Sequence, residues 1–214
     1  MFNTSAIISR NLPVPPAQLQ KIDGPYLLVT TGGGGDGEGV IDWVLRAYEH
    51  DKAMPLPALL VLGPFMQSER QVEFLTRAAR LKKVEAITFY AQLETLMDRA
   101  AGVVGMGGYN TFCEILSFDK RALIIPRTVP RREQYIRATR AEELGLCRVL
   151  IEDEIKDPRV MATALRHLPQ QQLPSQVVVP GLLDGQENVN RLVDKWLARG
   201  RRPQLALARR RARR

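Results

Sequence analysis

Cysteine, histidine and long apolar runs are all scarce in this sequence. Its 214 residues include two cysteines, Cys113 and Cys147, and two histidines, His50 and His167. So few cysteines indicate reduced thiols in a cytosolic protein and argue against a disulfide framework. The spacing of the cysteines and histidines predicts no metal site. No apolar run reaches the roughly 18 residues that cross a bilayer, and the first residues lack the pattern of a secretory signal. We therefore expect a cytoplasmic protein with no metal and no cofactor.

Acidic residues are missing from the end of the chain. Residues 195–214 contain no Asp or Glu, but one Lys and eight Arg. These nine positive charges exceed the net charge of +8, so the rest of the chain carries −1. We expect a basic disordered tail over residues 199–214, able to contact an anionic membrane from its inner face. We do not expect nucleic-acid binding, because no aromatic residues alternate with the arginines.

The remaining sequence has the composition of a globular protein, with 45% apolar and 25% charged residues. Short apolar runs alternate with amphipathic stretches of helical period. The predicted strands are 26–31, 58–62, 86–90, 102–106, 122–125 and 148–151. The main predicted helices are 38–50, 67–81, a short one at 93–97, one following residue 108, 132–144, one starting at Asp157-Pro158, and 187–197. On helix 67–81, the side chains expected on one apolar face are Val72, Leu75, Ala78, Ala79 and Leu81.

This alternation predicts an α/β fold: a Rossmann-like parallel sheet of about six strands with helices on both faces. Ligands of such sheets bind beyond the carboxyl ends of the strands. The predicted organisation is a proline-containing linker or crossover segment at 1–23, a Rossmann-like domain at 24–198 and the tail at 199–214. Residues 169–180 are expected to form a surface connection.

A glycine-rich loop, residues 32–37, follows the first predicted strand. Gly32, Gly34 and Gly37 satisfy the spacing of a dinucleotide fingerprint. That fingerprint also expects an acidic residue at the end of the second strand, whereas this strand ends in Gly63-Pro64. We therefore reject an NAD site. A diphosphate site, a close approach between domains and a flexible turn all remain open.

A second glycine turn, Gly107-Gly108, follows the strand 102–106 and leads directly into a helix. Glycine lets a ligand approach the backbone closely, and the first N–H groups of a helix attract anions. Glu114 lies too far along this helix to cap it, but its carboxylate can accept hydrogen bonds from the hydroxyl groups of a ribose. An ordinary turn followed by a surface glutamate is the alternative interpretation.

The stretch from Val103 to Ala138 resembles the donor-binding half of two-domain nucleotide-sugar glycosyltransferases. It is most similar to the peptidoglycan N-acetylglucosaminyltransferase and its family 28 relatives. The matching positions are Gly107-Gly108, Thr111, Glu114, Pro126 and Arg132-Glu133-Gln134, with Arg137-Ala138 in place of an Asn-Ala pair. A weaker resemblance extends over residues 25–197.

The resemblance implies one half of a GT-B fold and a set of ligand-binding residues. The residues that it places at the donor diphosphate are Gly33, Gly34, Gly107, Gly108, Tyr109 and Asn110. It places Glu114 at the ribose, and Arg132, Glu133 and Gln134 at the donor sugar. Met106, Glu133 and Arg137 depart from the family pattern, and the last two bear on which sugar is bound.

The expected function is therefore that of a donor-binding domain of a glycosyltransferase, using a nucleotide diphosphate sugar, with UDP as the expected nucleotide. We expect the chain to be incomplete without an acceptor domain, supplied in the same polypeptide or by a partner chain. The catalytic residues stay unidentified, since neither histidine is near the motif loops and no Asp-x-Asp motif is present. Two alternatives stay open: a non-catalytic nucleotide-binding or assembly subunit, and a nucleotide-sugar epimerase or hydrolase.

Overall fold

Strands and helices alternate along the chain in the computed structural model, which describes residues 22, 24–33, 35–151, 155–179 and 184–200. The strands are β1 (Leu27–Thr30), β2 (Ala58–Val61), β3 (Val84–Ile87), β4 (Gly102–Gly105), β5 (Ala122–Ile124) and β6 (Arg148–Val149). The helices are α1 (Glu38–His50), α2 (Ser68–Ala79), α3 (Leu93–Arg99), α4 (Tyr109–Ser117), α5 (Glu133–Glu143), α6 (Pro158–His167) and α7 (Gly185–Gly200).

The six strands form one parallel sheet in the order β3-β2-β1-β4-β5-β6. Strand β1 lies at the centre, where Leu27 is in register with Ala58 of β2 and with Gly102 of β4. The chain builds outwards from β1 to β3, then crosses back and builds in the other direction from β4 to β6. The predicted Rossmann-like parallel sheet is confirmed.

Both faces of this sheet are covered, which explains why its central strands are apolar without alternation. Strands β1, β2, β4 and β5 are buried along their whole length, whereas the edge strands β3 and β6 are partly exposed. On one face, Leu27 and Val29 belong to a cluster with side chains of α1, α2 and α6. Leu28 of β1 is also fully buried, and strand geometry directs it to the opposite face.

A hydrogen bond between side chain and backbone joins two helices on the first of these faces. The indole N–H of Trp43, in α1, donates to the carbonyl of Asp157 at 2.8 Å. Asp157 in turn caps α6 by accepting the Arg159 backbone N–H. The predicted helix start at Asp157-Pro158 is therefore confirmed.

Two local predictions were wrong. Strand β3 begins at Val84 and ends at Ile87, two residues earlier than the first predicted position and three earlier than the last. On α2, Val72 and Ala79 of the predicted face are exposed, Ala78 is buried as predicted, and the unpredicted Phe74 is also buried. The aromatic ring of Phe74 lies under the guanidinium of Arg70, 4.6 Å from ring centre to Cζ. The apolar face predicted from the sequence did not include Phe74.

The described residues fall into two compact units, divided between Val177 and Val178. The first contains the sheet, α1 to α6 and two short 3-10 turns, Leu168–Gln170 and Pro174–Gln176. The second contains α7. The linker predicted at 1–23, apart from residue 22, and the tail beyond residue 200 lie outside the described residues. The predicted boundaries at 23/24 and 198/199 therefore stay predictions.

Candidate functional site

The direction of chain building reverses between β1 and β4, and in open parallel sheets such a reversal leaves a crevice at the carboxyl edge. The loop after β1 runs up one side before α1, and the loop after β4 runs up the other side before α4. Open parallel sheets bind ligands at such a reversal point. Both glycine motifs of the sequence, 32–37 and 107–108, therefore lie at the position that the topology favours for a ligand.

The two glycines after β4 lie in different environments. Gly107 has φ of +74°, and a Cβ at this position would lie 2.8 Å from Cγ2 of Ile124. Gly108 has φ of −53° and precedes α4 as its N-cap, without a side-chain cap. A Cβ on Gly108 would meet no atom within 4 Å. The backbone at Gly108 is therefore open, next to the positive end of the α4 dipole.

Glu114 lies in the second turn of α4 and is half-buried. Burial raises the pKa of its carboxyl group above the ordinary value, and the nearby carboxylate of Glu94 raises it further. Among the described residues, no hydrogen bond or ion pair to the Glu114 carboxylate is found. The carboxylate can therefore accept hydrogen bonds from a ligand without breaking a bond within the protein.

The loop after β1 is fixed from two sides. The carbonyl of Gly33 accepts a hydrogen bond from the N–H of Phe65 at 2.8 Å, and the hydroxyl of Thr31 donates to the carbonyl of Leu62 at 2.9 Å. Gly32 has φ of +65°, a conformation that favours glycine. Gly34, one of the predicted diphosphate residues, lies outside the described residues.

Arg127 connects the loop after β1 to the loop after β5. Its guanidinium forms ion pairs with Asp36 in the first loop and, at 2.8 Å, with Glu133 at the start of α5. Its backbone N–H donates to the side-chain carbonyl of Gln134 at 3.1 Å. The pKa of Glu133 is lowered by a hydrogen bond to the backbone N–H of Glu133 itself and by Arg127. Both glutamate and glutamine of the predicted sugar site are thus held by one arginine.

A second arginine connects α5 to the turn after β4. The guanidinium of Arg137 donates to the carbonyl of Gly107 at 2.7 Å, and its Cζ lies 5.5 Å from the ring centre of Tyr109. Arg132, also predicted at the sugar, stacks on Tyr135 at 5.1 Å. Through Arg127 and Arg137, three loops at the carboxyl edge form one connected structure.

The sequence matches the glycosyltransferase family 28 C-terminal domain over residues 29–176. This chain belongs to that family. The match covers the sheet except the first two residues of β1, and it includes every described residue predicted to contact a ligand. The resemblance that the motif residues indicated is thereby confirmed.

Solved structures of glycosyltransferases share the fold of this family 28 domain. They include MurG from Acinetobacter baumannii, with a TM-score of 0.59 and 14% identity, covering 85% of this chain and 54% of that one. The calicheamicin glycosyltransferase CalG4 gives a TM-score of 0.54 and 20% identity, and the match covers 69% of this chain and 34% of that one. The glycosyltransferase VinC, solved in complex with dTDP, gives a TM-score of 0.52 and 23% identity, and the match covers 73% of this chain and 36% of that one. Among curated proteins, no sequence matches the chain.

These similarities confirm that the family 28 domain is a Rossmann-like half of a GT-B fold. The chain spans between about a third and about a half of the length of the three structures, since it covers 34% to 54% of them. The two departures from the family pattern at α5 have a structural account. Arg137 holds the Gly107 carbonyl, and Glu133 is paired with Arg127.

Several residues at this edge were not predicted from the sequence. Arg127 and Asp36 lie within the predicted loops, but their pairing joins positions 91 residues apart, and local sequence does not encode it. Glu94 contributes to the site only through its charge, which raises the pKa of Glu114. Large exposed side chains also follow four strands in this region, namely Phe65, Phe89, Tyr109 and Val129. Of these, only Tyr109 belonged to a predicted site.

The residues near the crevice do not suggest a metal centre. Within the described parts of the chain, no group of three or more His, Cys, Asp or Glu side chains is arranged to hold a metal ion. Two of the pockets formed by the described residues lie away from the crevice. One of about 450 Å³ is lined by the ends of α1 and α2, and one of about 580 Å³ by β6 and α6. Neither is lined by a predicted site residue.

Proposed function

We propose that this chain is the donor-binding domain of a glycosyltransferase that takes its sugar from a nucleoside diphosphate sugar, with UDP as the expected nucleotide. The observation that carries the proposal is the placement of the loops after β1 and β4 at the carboxyl edge of the sheet. There, the open backbone of Gly108 precedes the N-terminus of α4. Glu114 offers an available carboxylate one turn further along. Family membership adds that this domain type is a glycosyltransferase domain.

The proposed roles follow the chemistry of each group. A diphosphate carries negative charge, which suits the α4 N-terminus and the glycine turns. The residues assigned to it are Gly33, Gly34, Gly107, Gly108, Tyr109 and Asn110. Glu114 accepts hydrogen bonds from the ribose hydroxyls. Arg132, Glu133 and Gln134 contact the donor sugar.

In this proposal, the domain contributes electrostatic stabilisation to the reaction. When the bond between sugar and diphosphate breaks, negative charge develops on the leaving diphosphate. Backbone N–H groups that already point at that position stabilise the charge without reorganising. Arg137 adds a positive charge beside the same turn, because its guanidinium is bonded to the Gly107 carbonyl.

We propose that this domain forms one wall of a reaction site and that an acceptor domain supplies the other. Exposed apolar side chains after β2, β3, β4 and β5 give the carboxyl edge a surface suited to being covered. Phe65, for example, is 77% exposed. His50 and His167 end α1 and α6, at the opposite edge of the sheet. The general base would therefore come from the acceptor domain, in the same polypeptide or in a partner chain.

Nucleotide binding is the first test. Isothermal titration calorimetry with UDP, GDP and dTDP should show binding with UDP preferred; dTDP is included because VinC was solved with it. Glu114→Ala should weaken UDP binding by about 1.5–3 kcal/mol, the range for hydrogen bonds to a charged acceptor. Equally poor binding of all three nucleotides by wild type and variant would contradict the site assignment.

The donor sugar gives a second test. Gln134→Ala should weaken binding of a nucleotide sugar more than binding of the free diphosphate. The side-chain carbonyl of Gln134 also holds the Arg127 backbone N–H, so Gln134→Glu, which keeps an acceptor oxygen, is the matched control. Equal losses for sugar nucleotide and free diphosphate would refute the division of roles.

Glycosyl transfer itself tests the need for a second domain. The isolated chain should show no transfer to lipid-linked or soluble acceptors, and activity should appear when an acceptor domain is added. Robust transfer by the 214 residues alone would overturn this part of the proposal. Hydrolysis of a nucleotide sugar without acceptor would instead favour the hydrolase alternative, and binding without turnover in any combination would favour the non-catalytic one.

The proposed location is the cytoplasm, at the inner face of the membrane. Among the helices of the described residues, none is both long enough and apolar enough to cross a bilayer. The arginine-rich segment after residue 198 is the proposed site of contact with anionic lipid, since each cation near an acidic surface contributes on the order of 1 kcal/mol.

A further inference from the structure

Helix α7 carries an apolar stripe that is exposed along its whole length. The stripe consists of Val189, Leu192, Val193, Trp196 and Leu197. The spacing of three and four residues places them on one side of the helix. Each is at least 47% exposed, and Trp196 is 73% exposed. Such a continuous exposed stripe marks a surface that binds something.

The rest of α7 is polar, and the chain that follows is strongly basic. The side of the helix opposite the stripe carries Glu187, Arg191, Asp194 and Ala198, and Lys195 lies beside it. From Lys195 to the end of the sequence there are nine cations and no carboxylate. One short segment therefore combines an apolar stripe containing tryptophan with a concentrated positive charge.

This combination distinguishes between three kinds of partner. A nucleic acid would use the cations but has no place for five exposed apolar side chains. An apolar groove on a protein would use the stripe but has no need of nine positive charges. An anionic bilayer surface uses both, because apolar side chains enter the acyl boundary while cations remain among the headgroups. Tryptophan is also enriched at the interface between lipid and water.

We propose that α7 lies in the plane of an anionic bilayer surface, with the stripe of Val189, Leu192, Val193, Trp196 and Leu197 inserted among the lipids. Its 16 residues extend only about 24 Å at the rise of an α-helix, less than the roughly 30 Å hydrocarbon core. The helix therefore binds along the surface and does not cross it. This goes beyond electrostatic attraction of the arginine-rich segment, because the inserted stripe is the part that holds the chain to lipid.

Tryptophan emission gives a direct measurement. The chain has two tryptophans: Trp43 is buried in the sheet domain and Trp196 is exposed. The full chain should bind vesicles of an equimolar mixture of phosphatidylglycerol and phosphatidylcholine. Trp196 emission should then shift to shorter wavelength and be quenched by lipids brominated on the acyl chain. A Trp196→Phe variant, which retains Trp43, should show neither change.

Two variants with the same change of charge separate insertion from attraction. Leu192→Glu places a carboxylate in the stripe, and Ala198→Glu places one on the opposite side of α7. We expect Leu192→Glu to reduce the vesicle partition coefficient by about tenfold or more, as losing the burial of a leucine implies. Ala198→Glu should reduce it by no more than about fivefold, the effect of one charge near the surface. Circular dichroism and thermal unfolding confirm that both variants fold.

Four results would overturn the proposal. They are absence of vesicle binding by the wild type, equal losses for the two variants, lack of quenching by brominated lipid, and binding of a homopolymeric RNA in preference to vesicles. Concentration-dependent dimerisation that Leu192→Glu abolishes, without vesicle binding, would instead identify a second copy of the chain as the occupant of the stripe. Because α7 and the nucleotide site are assayed separately, failure of UDP binding would leave this test intact.

Discussion

At the scale of single residues, the adjacent glycines of the β4–α4 turn have different roles, one in folding and the other in the proposed ligand binding. Gly107 is required by the fold, because its φ is positive and Ile124 fills the space where a Cβ would lie. Gly108 has an ordinary φ and open space in place of a Cβ. The N-cap position alone gives only a modest preference for glycine at position 108, whereas a ligand approaching the backbone gives a second reason.

Alanine at each position should therefore have different effects. Gly107→Ala should lower the free energy of unfolding by about 1–3 kcal/mol, because it adds backbone strain and a steric clash. Gly108→Ala should lower it by less, at most about 1 kcal/mol, because glycine is preferred to alanine at an N-cap; it should weaken UDP binding, since its methyl group occupies the space open to the ligand. Urea unfolding and calorimetry on both variants provide the comparison. A Gly108→Ala variant with unchanged UDP affinity would argue against diphosphate at this turn.

Glu114 should show a conflict between stability and ligand binding. Its pKa is raised in the folded protein, first by burial and then by Glu94. A carboxyl group with a raised folded-state pKa favours the folded state when protonated, so its charge destabilises the fold at neutral pH. This cost is fully present above the folded-state pKa, decreases as the pH falls through that pKa, and is absent below 4.5, the ordinary pKa.

Glu114→Gln should therefore raise the melting temperature at pH 7, and the gain should shrink as the pH falls through the folded-state pKa and be absent below 4.5. The same substitution should weaken UDP binding, because an amide is a weaker acceptor than a carboxylate. Differential scanning calorimetry across pH and UDP titration at pH 7 measure the two effects. A variant that is destabilised at neutral pH would show that Glu114 has a structural role not visible in its contacts.

At the scale of helices and strands, sequence pattern predicted the elements that pack on both sides of the sheet. Helix α1 was predicted with its observed bounds, 38–50, because glycine precedes it and its apolar residues are dense. Edge strands were harder: β3 has one buried residue, so its apolar signal is weak and its predicted position was shifted. On α2, apolar residues occur on more than one side of the helix, so the sequence did not show which side packs on the sheet. The burial of Phe74 identifies that side.

The candidate site was predictable to the extent that topology fixes it. Loops at the carboxyl ends of parallel strands must lie along one edge, so the glycine motifs could be placed there from sequence. The contacts of Arg127 with Asp36 and Glu133 were not predictable. They depend on how long side chains cross between loops once the backbone is in place.

The cap of α6 offers a test at this scale. Asp157 accepts the Arg159 backbone N–H and pairs with its guanidinium, and these bonds lower the pKa of Asp157. The stabilisation from a lowered carboxyl pKa is present above the ordinary value of 3.8 and is lost as the pH falls through the folded-state pKa.

Asp157→Ala should therefore lower the melting temperature by a few degrees at pH 7, with a smaller difference below pH 3.8. Asp157→Asn should lose less, because its side-chain oxygen still caps the helix and only the charge interaction is removed. Thermal unfolding at pH 7 and at low pH separates these contributions. An equal loss for both variants would show that charge, and not capping, provides the stabilisation.

At the scale of the whole molecule, the excess positive charge and the proposed ligand-binding residues lie in different parts of the chain. The residues proposed to bind nucleotide all precede Ala138, whereas the nine cations of the basic segment begin at Lys195. The overall pI of about 9.9 therefore describes the end of the chain and not the crevice. A basic protein of this composition need not present a basic surface around its ligand site.

The division of the chain leads to the last prediction. The family match ends at residue 176, and the first compact unit ends at Val177. The sheet, both glycine turns, Glu114 and the Arg127 contacts all lie before that point. A variant ending at Val177 should therefore unfold in urea with a free energy within about 0.5 kcal/mol of the intact protein, the range of changes outside a packed core.

The same variant should bind UDP with unchanged affinity while losing vesicle binding, because α7 and the arginine-rich segment are absent. Calorimetry and vesicle sedimentation on the intact and shortened chains measure both properties. The matched control is a chain ending at residue 200, which keeps α7 but removes the residues beyond it. It should retain UDP binding and show intermediate vesicle affinity, since the stripe remains while most of the positive charge is gone. If the chain ending at Val177 loses UDP affinity, residues beyond the family domain contribute to the nucleotide site, and the assignment of the site to the first unit alone is wrong.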